Sequence, residues 1–223
     1  MGFLDALLGR SRLPPPRPDR IFALVTAGLT IRQELGWRTA GRAGICLKAV
    51  PGSDFERARQ ELEDLVKLGV KETGGAMSTA ADEFGFLWVI IADPDLDDQV
   101  NLVHLATQTL LENGFGPQLL AAVFRFERGE PSAPASASAS AVASASAPVA
   151  SGKPAPGTAP GDPNRAYLIY NYKRGNFYPF VPRSETAKTR EYESELRAAA
   201  TLEPELPTEK DQTRWFALWN CPI

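Results

Sequence analysis

The residues that could carry catalytic chemistry are isolated from one another in this sequence. His104 is the only histidine, so any serine or cysteine nucleophile that needs a histidine base would have to use it. It lies in a predicted helix, on the face that also carries Val100 and Leu111, which favours a packing role. A two-histidine zinc site is impossible within this chain, and Cys46 and Cys221 form no CxxC motif. We therefore expect no activated nucleophile and no zinc site.

The two cysteines have different predicted environments. Two cysteines are too few for the disulfide framework of a small secreted protein. Cys46 lies in an apolar, strand-like run and is predicted to be a small buried hydrophobe. Cys221 lies close to the end of the chain and is predicted to be a tail residue.

A group of aspartates partly matches the ligand spacing of a calcium-binding loop. Asp93, Asp95 and Asp97 occupy the spacing of ligand positions 1, 3 and 5. The sixth position should be glycine but is Asp98, and the twelfth should be glutamate but is His104. The pattern instead predicts a helix that begins at Asp95, since acidic residues suit the first turn of a helix. We expect no metal site here.

Neither nucleotides nor nucleic acids are favoured as ligands. The sequence has no Walker-type Gly-Lys-Thr, and its GFGP run at 114–117 has no third glycine and ends in a proline. A net charge of −3 argues against a basic nucleic-acid-binding face. Lys173 and Arg174 lie among tyrosines that could stack on single-stranded nucleic acid. Two basic residues, however, provide only a weak electrostatic attraction for it. We expect no cofactor and no nucleic-acid partner. Because the sequence also offers no activated nucleophile, we expect no enzyme.

The sequence predicts a cytoplasmic protein. No apolar run reaches the 18 or so residues that a membrane-spanning helix needs. The N-terminus also lacks the basic start and cleavage site of a signal peptide. Peripheral attachment at the inner face of the cell membrane remains open.

The N-terminal segment has the apolar pattern of a short amphipathic helix. Phe3, Leu4, Leu7 and Leu8 form one stripe, and the prolines of residues 13–18 predict an extended spacer. So short a helix is not stable alone in water, so it must fold against another surface. Three surfaces stay open: its own domain, a partner protein or a membrane. Membrane attachment would need a second contact.

The remaining chain predicts an α+β fold in a single domain. Periodicity and capping signals indicate a mainly antiparallel sheet of about five to six strands, with helices packed mainly on one face. Predicted helices cover 19–36, 53–69, 95–113 and 184–200; predicted strands cover 44–50, 71–77 (an edge strand), 84–92 and 118–127, followed by a hairpin at 165–182.

A low-complexity stretch at 131–163 interrupts this domain. Its Pro/Ala/Ser composition predicts disorder. It separates two predicted strands, so we interpret it as an expanded hairpin loop rather than a domain boundary. Lengthening a loop from ~4 to ~33 residues costs only roughly 2 kcal/mol of closure entropy. The predicted organisation is an N-terminal segment at 1–18, one domain formed by 19–130 and 164–223, and a loop insertion at 131–163.

The hairpin at 165–182 is the segment richest in aromatic residues. Its composition suits a protein-binding face, because tyrosine and arginine often anchor interfaces. The predicted partner-contact residues are Tyr170, Tyr172, Lys173, Arg174, Phe177 and Tyr178. A simpler interpretation, a structural hairpin with an exposed tip, stays open.

Four segments together resemble a known family. They are MGFLDALLGR at 1–10, GFGPQLL at 114–120, YNYKRGNFYPFVP at 170–182 and RWFALW at 214–219. They resemble the PspA-associated family PspAB, of actinobacteria and some archaea. The resemblance covers most of the chain except 131–163, where members usually have a short connection.

The resemblance implies a partner and a pathway. It implies association with phage shock protein A, a peripheral membrane protein of the envelope stress response. It also implies proximity to a second PspA-associated protein and to an HtpX-type membrane metalloprotease. It assigns no catalytic residues. We therefore expect a non-enzymatic adaptor at the cytosolic face of the membrane. The alternatives are a regulator of the metalloprotease and, less favoured, a small-molecule-binding or catalytic domain.

Overall fold

The computed structural model describes residues 17–48, 60, 75–129 and 164–223, and the account below concerns those residues. The N-terminal segment as far as residue 16, nearly all of the predicted helix at 53–69 and the low-complexity stretch lie outside them.

A six-stranded antiparallel sheet is the centre of the described structure. Its strands pair in the order β2-β3-β1-β4-β5-β6, and a separate two-stranded sheet pairs β7 with β8. This arrangement confirms the predicted α+β class. The strands are β1 (Trp37–Lys48), β2 (Ala76–Ala81), β3 (Phe86–Ala92), β4 (Leu119–Arg128), β5 (Arg165–Asn171), β6 (Asn176–Phe180), β7 (Pro182–Ser184) and β8 (Thr189–Arg190).

The first strand is longer than its sequence pattern suggested. The apolar run predicted a strand from residue 44, whereas β1 begins at Trp37 because its first half also pairs with β4. A register shift between Thr39 and Arg42 accommodates Gly41, whose φ is 69°. The predicted edge strand is present as β2, although it begins at Ala76 and lies further along the chain than expected.

Three α-helices lie in the described ranges: α1 (Ala23–Gln33), α2 (Leu96–Glu112) and α3 (Tyr192–Leu202). The start of α2 follows the sequence prediction, since the Asp95 carboxylate accepts hydrogen bonds from the backbone N–H groups of Asp97 (2.8 Å) and Asp98 (3.3 Å). The helix predicted over 184–200 is wrong in its first part. The β7–β8 hairpin occupies that part, and α3 begins only at Tyr192.

Strands β4 and β5 are direct neighbours despite the long stretch of sequence between them. Their register runs from Ala121 opposite Asn171 to Glu127 opposite Arg165. The Arg128 N–H then donates to the Asn164 carbonyl at 2.7 Å, so the two chain ends lie side by side. This is the geometry that a hairpin loop inserted at 131–163 requires.

The two faces of the sheet are covered differently. Side chains alternate across a strand, so each strand sends one set of residues to either face. One face packs against all three helices, around core residues such as Phe124 and Leu168. The other face carries Trp88, Val123 and Phe180, and in the described part of the chain it is covered by the C-terminal residues from Trp215 onward. That cover is narrower than the sheet and leaves a groove beside it.

Candidate functional site

The floor of this groove is one row of residues that lie side by side across the sheet. Trp88 of β3 is opposite Cys46 of β1, Cys46 is opposite Ala121 of β4, and Ala121 is opposite Asn171 of β5. Cys46 and Ala121 are small residues between larger neighbours. The floor is therefore deepest at the middle of the row.

Two chain segments form the walls of the groove and enclose a volume of about 480 Å³. One wall is the β2–β3 turn together with the first residue of β3, and it contributes Asp82, Phe84 and Phe86. The opposite wall is the C-terminal segment 216–219, and Lys173 of the β5–β6 turn closes one end. A volume of this size fits a few apolar side chains or a small ligand.

The β2–β3 wall is held in shape by Asp82. Its carboxylate accepts hydrogen bonds from the backbone N–H groups of Phe84 and Phe86 and from the indole N–H of Trp88, each at 2.9 Å. Gly85 takes a φ of 77°, a conformation that other residues rarely adopt. With its oxygens so engaged, Asp82 has a structural role in the turn.

The C-terminal wall is fixed at Trp215. The Trp215 indole N–H donates to the Glu209 carbonyl (2.9 Å), and the Trp215 carbonyl accepts a hydrogen bond from Arg190 (2.8 Å). Trp219 then packs edge-on against Phe180, with ring centroids 5.0 Å apart. These contacts set the width of the groove.

The end of the chain packs into the sheet behind this wall. Ile223 is buried over Gly44, where an added Cβ would lie 2.9 Å from the Ile223 Cγ2. Gly44 therefore makes room for the C-terminal residue. Cys221 is buried as well, so its prediction as a tail residue is wrong. The two walls are also bridged directly, because the Asn220 side-chain amide donates to the Glu83 carboxylate at 2.9 Å.

The groove provides apolar surface rather than reactive groups. Burial is the main reason that the pKa of the Cys46 thiol rises to about 12, with Asp82 and Cys221 adding to the effect. A thiol with such a pKa stays protonated at neutral pH and is a poor nucleophile. In the part of the chain that the structure describes, no group of three or more His, Cys, Asp or Glu side chains could hold a metal ion.

Two large aromatic side chains at the rim are exposed to solvent. Phe84 is 59% exposed and Phe216 is 58% exposed, one on each wall. Exposed apolar groups that adjoin an apolar groove are typical of a surface that binds another polypeptide or an apolar ligand.

The structure divides the six predicted partner-contact residues of the hairpin. Three of them are buried against the helices: Tyr170, Tyr172 and Phe177. Burial raises the pKa of Tyr170 to about 12, and the Tyr172 hydroxyl is hydrogen-bonded to Thr107 at 2.5 Å. Their rings are therefore occupied within the domain.

The other three are Tyr178, Lys173 and Arg174, and the first two of these line the groove. Tyr178 is buried but lines it, and Lys173 is exposed at its end. Arg174 is exposed and forms an ion pair with Glu209 at 2.8 Å. A partner contact at the hairpin is thus limited to the turn tip. The four N-terminal predictions, Phe3, Leu4, Leu7 and Leu8, lie outside the described residues.

Sequence reasoning did not find the groove itself. The RWFALW run at 214–219 entered the sequence analysis only as part of the family resemblance, and in the structure its Trp219 packs against Phe180. The floor gave no sequence signal, because Cys46 and Ala121 become neighbours only through strand pairing. His104 has a packing contact, since its ring centroid lies 4.6 Å from that of Phe22.

No helix within the described ranges is both long and apolar enough to cross a membrane. Neither the comparison with curated proteins nor the comparison with solved structures finds a match. The comparison with protein families does find one, and it extends over the entire chain, residues 1–223. This protein therefore belongs to PspAB, the family described as PspA associated protein B.

Proposed function

We propose that this protein is a non-enzymatic adaptor that binds a PspA-like protein at the cytosolic face of the membrane, in a phage-shock-type envelope stress response. The observation that carries the proposal is the family match over the whole chain. The adaptor role and the membrane location extend beyond what the family name states.

The groove beside the C-terminal segment supports a binding role. Phe84 and Phe216 expose large apolar rings on either side of the groove, and Lys173 adds a positive charge at its end. Aromatic residues, phenylalanine among them, are enriched in protein–protein interfaces. The domain thus offers a surface that suits a polypeptide partner.

The chemistry of the groove supports binding rather than catalysis. Cys46 is a protonated thiol at neutral pH, and the Asp82 carboxylate is engaged by three N–H groups of its own turn and of β3. Nothing in this pair is arranged as a nucleophile with a base. A function that depends on contacts alone fits these residues.

In this proposal the partner is contacted at two places. The first is the N-terminal stripe of Phe3, Leu4, Leu7 and Leu8, which reaches the partner or the membrane surface from its proline-rich spacer. The second is the hairpin tip at Lys173 and Arg174. Each contact alone is weak, so the two together supply the affinity through their linkage.

Co-sedimentation of the full-length protein with the PspA-like protein, with and without anionic liposomes, tests the proposal. The double variant Phe3→Asp/Leu7→Asp should lose at least roughly tenfold in affinity, because a carboxylate cannot be buried without compensation. Ala6→Asp adds one negative charge on the opposite side of the predicted helix and should bind as the wild type does.

Retention of full affinity in the double variant would exclude the stripe as the PspA contact. Binding to liposomes without the PspA-like protein would make it a lipid anchor instead. No binding by the wild type in any form would reject the adaptor proposal and favour action on another protein, such as the HtpX-type protease.

A further inference from the structure

We infer that the groove is the docking site of this chain's own N-terminal stripe: in the free protein, residues 3–8 lie in cis between the β2–β3 turn and the C-terminal segment 216–219. The inference concerns the protein without any partner, and it goes beyond the adaptor function.

The dimensions of the groove match those of the segment. Its floor runs from Trp88 on β3 to Asn171 on β5, which are three strand spacings apart, or about 14 Å at ~4.8 Å per spacing. A helix formed by residues 1–8 would be about 12 Å long at ~1.5 Å per residue. The segment therefore fits across the strands along the row of small floor residues.

The chemistry of the two surfaces is complementary. The groove is lined mainly by apolar groups, with Phe84, Phe86 and Trp219 among them. The stripe of the N-terminal segment consists of one phenylalanine and three leucines. A helix this short needs an apolar surface in order to fold, and the groove is a surface of that kind.

The chain leaves the described domain at the β5–β6 turn, on the face of the sheet opposite the groove. Arg17 is the first residue described, and its carbonyl accepts a hydrogen bond from the Tyr170 hydroxyl. An added Cβ on Gly175 would lie 3.6 Å from the Arg17 Cβ, so Arg17 sits against the β5–β6 turn. The same turn contributes Lys173 to the groove on the other side of the sheet. The segment has only to pass around this turn.

The spacer is long enough for that path. Residues 9–16, three of them proline, would reach about 25 Å at ~3.1 Å per residue. The layers on either side of a sheet lie only about 10 Å from it. A short tether also holds its ligand at an effective concentration on the order of millimolar, so even a weak intrinsic affinity would fill the groove.

Docking in cis would give the segment two states. If the stripe is also the contact for the PspA-like protein, as in the proposed function, the stripe must leave the groove before that partner can bind it. The apparent affinity of the partner then falls in proportion to the fraction of undocked protein.

Trp219 provides an intrinsic probe of occupancy. It lines the groove and is half-exposed, whereas the other three tryptophans, Trp37, Trp88 and Trp215, are buried. Acrylamide quenching of full-length protein without any partner should therefore report mainly on Trp219. We expect Leu7→Asp to reduce the equilibrium constant for docking at least roughly tenfold and to increase quenching. Ala6→Asp should match the wild type.

A peptide of residues 1–12, added to the Leu7→Asp protein, provides a second measurement. It should protect Trp219 with a dissociation constant in roughly the millimolar range, and the same peptide with Leu7→Asp should not. Equal quenching of the wild type and the Leu7→Asp protein would overturn the inference. So would failure of the wild-type peptide to protect Trp219 at several times that concentration.

Two further outcomes would assign the groove to another occupant. Protection of Trp219 that depends on protein concentration in the wild type would show that a second copy supplies the segment. A stoichiometric lipid in the extract of denatured protein would show that an acyl chain fills the groove. Either result would overturn docking in cis and leave the family-based function to be judged by the PspA binding assay.

Discussion

Glu195 of α3 and Arg190 of β8 form an ion pair inside the domain, with 0% and 11% of their side chains exposed. The Arg190 Nε–H lies 2.9 and 2.8 Å from the two carboxylate oxygens, and one of these oxygens also accepts the Val181 N–H at 2.8 Å. Arg190 donates in turn to the Trp215 carbonyl, at the base of the groove wall. We predict that this pair maintains the groove, and that either single replacement is costly.

Glu195→Gln removes the charge but keeps an oxygen for the Val181 N–H. The guanidinium of Arg190 is then buried without a counter-charge, and breaking a buried pair in this way costs about 3–5 kcal/mol. Arg190→Met leaves the carboxylate without its partner and Trp215 without its donor, which should cost about 3 kcal/mol at neutral pH. The double variant leaves no unpaired charge, and we expect it to cost only about 2 kcal/mol.

The pH dependence of Arg190→Met provides a separate check. Burial already raises the pKa of Glu195 in the wild type, against the lowering effect of Arg190. Loss of Arg190 should raise that pKa further. When the folded-state pKa of a carboxyl is raised, the protein loses stability as the pH rises through that pKa. The variant should therefore be less stable at pH 8 than at pH 5, relative to the wild type.

Urea unfolding of the four proteins measures the free energies, and acrylamide quenching of Trp219 measures the state of the wall. We expect the summed destabilisation of the two single variants to exceed that of the double variant by at least about 2 kcal/mol. Arg190→Met should also increase the quenching of Trp219. If the destabilisations of the two single variants sum to within about 0.5 kcal/mol of that of the double variant, the two residues are not coupled and this reasoning is refuted.

Two other predictions concern stability. Burial raises the pKa of the Cys46 thiol from 9.0 to about 12, so the unfolded thiol ionises first and stability falls by about 1.4 kcal/mol per pH unit between those values. Cys46→Ala should remove this slope from the alkaline loss of stability and leave the pH dependence below pH 9 unchanged. If the free energies of unfolding of the two proteins fall in parallel above pH 9, the prediction is contradicted. Deletion of residues 133–161 should preserve cooperative melting, because Arg128 and Asn164 already lie side by side. The shorter loop should raise the free energy of unfolding by up to roughly 2 kcal/mol. A deletion variant that melts without cooperativity would show that this stretch is not a simple loop.

Local signals in the sequence determined several elements. Asp95 followed by Asp97 and Asp98 defined the start of α2, because the cap and its hydrogen bonds involve only neighbouring residues. The alternation around residues 165–182 defined a hairpin for the same reason. The helix predicted from residue 184 failed at its start, where the β7–β8 hairpin forms and Arg190 pairs with the buried Glu195. That contact was not visible in the local pattern.

The direction in which the hairpin side chains point needed the tertiary structure. Tyr170 and Tyr172 lie on the same side of their strand as the helices, whereas Ile169 faces the C-terminal segment. Alternation predicts that neighbouring residues point to opposite faces, but it does not tell which face a given set will meet. A partner-binding role was therefore predicted for rings that are buried.

The sequence by itself determined several secondary-structure elements, the α+β class and the family, because these depend on local patterns and on motifs that are contiguous in the chain. Only the tertiary structure decided that a groove exists and where it lies. Its floor brings Cys46, Trp88, Ala121 and Asn171 into one row through the strand order β3-β1-β4-β5. Strand order is set by packing across the whole domain, and no local sequence pattern contains it.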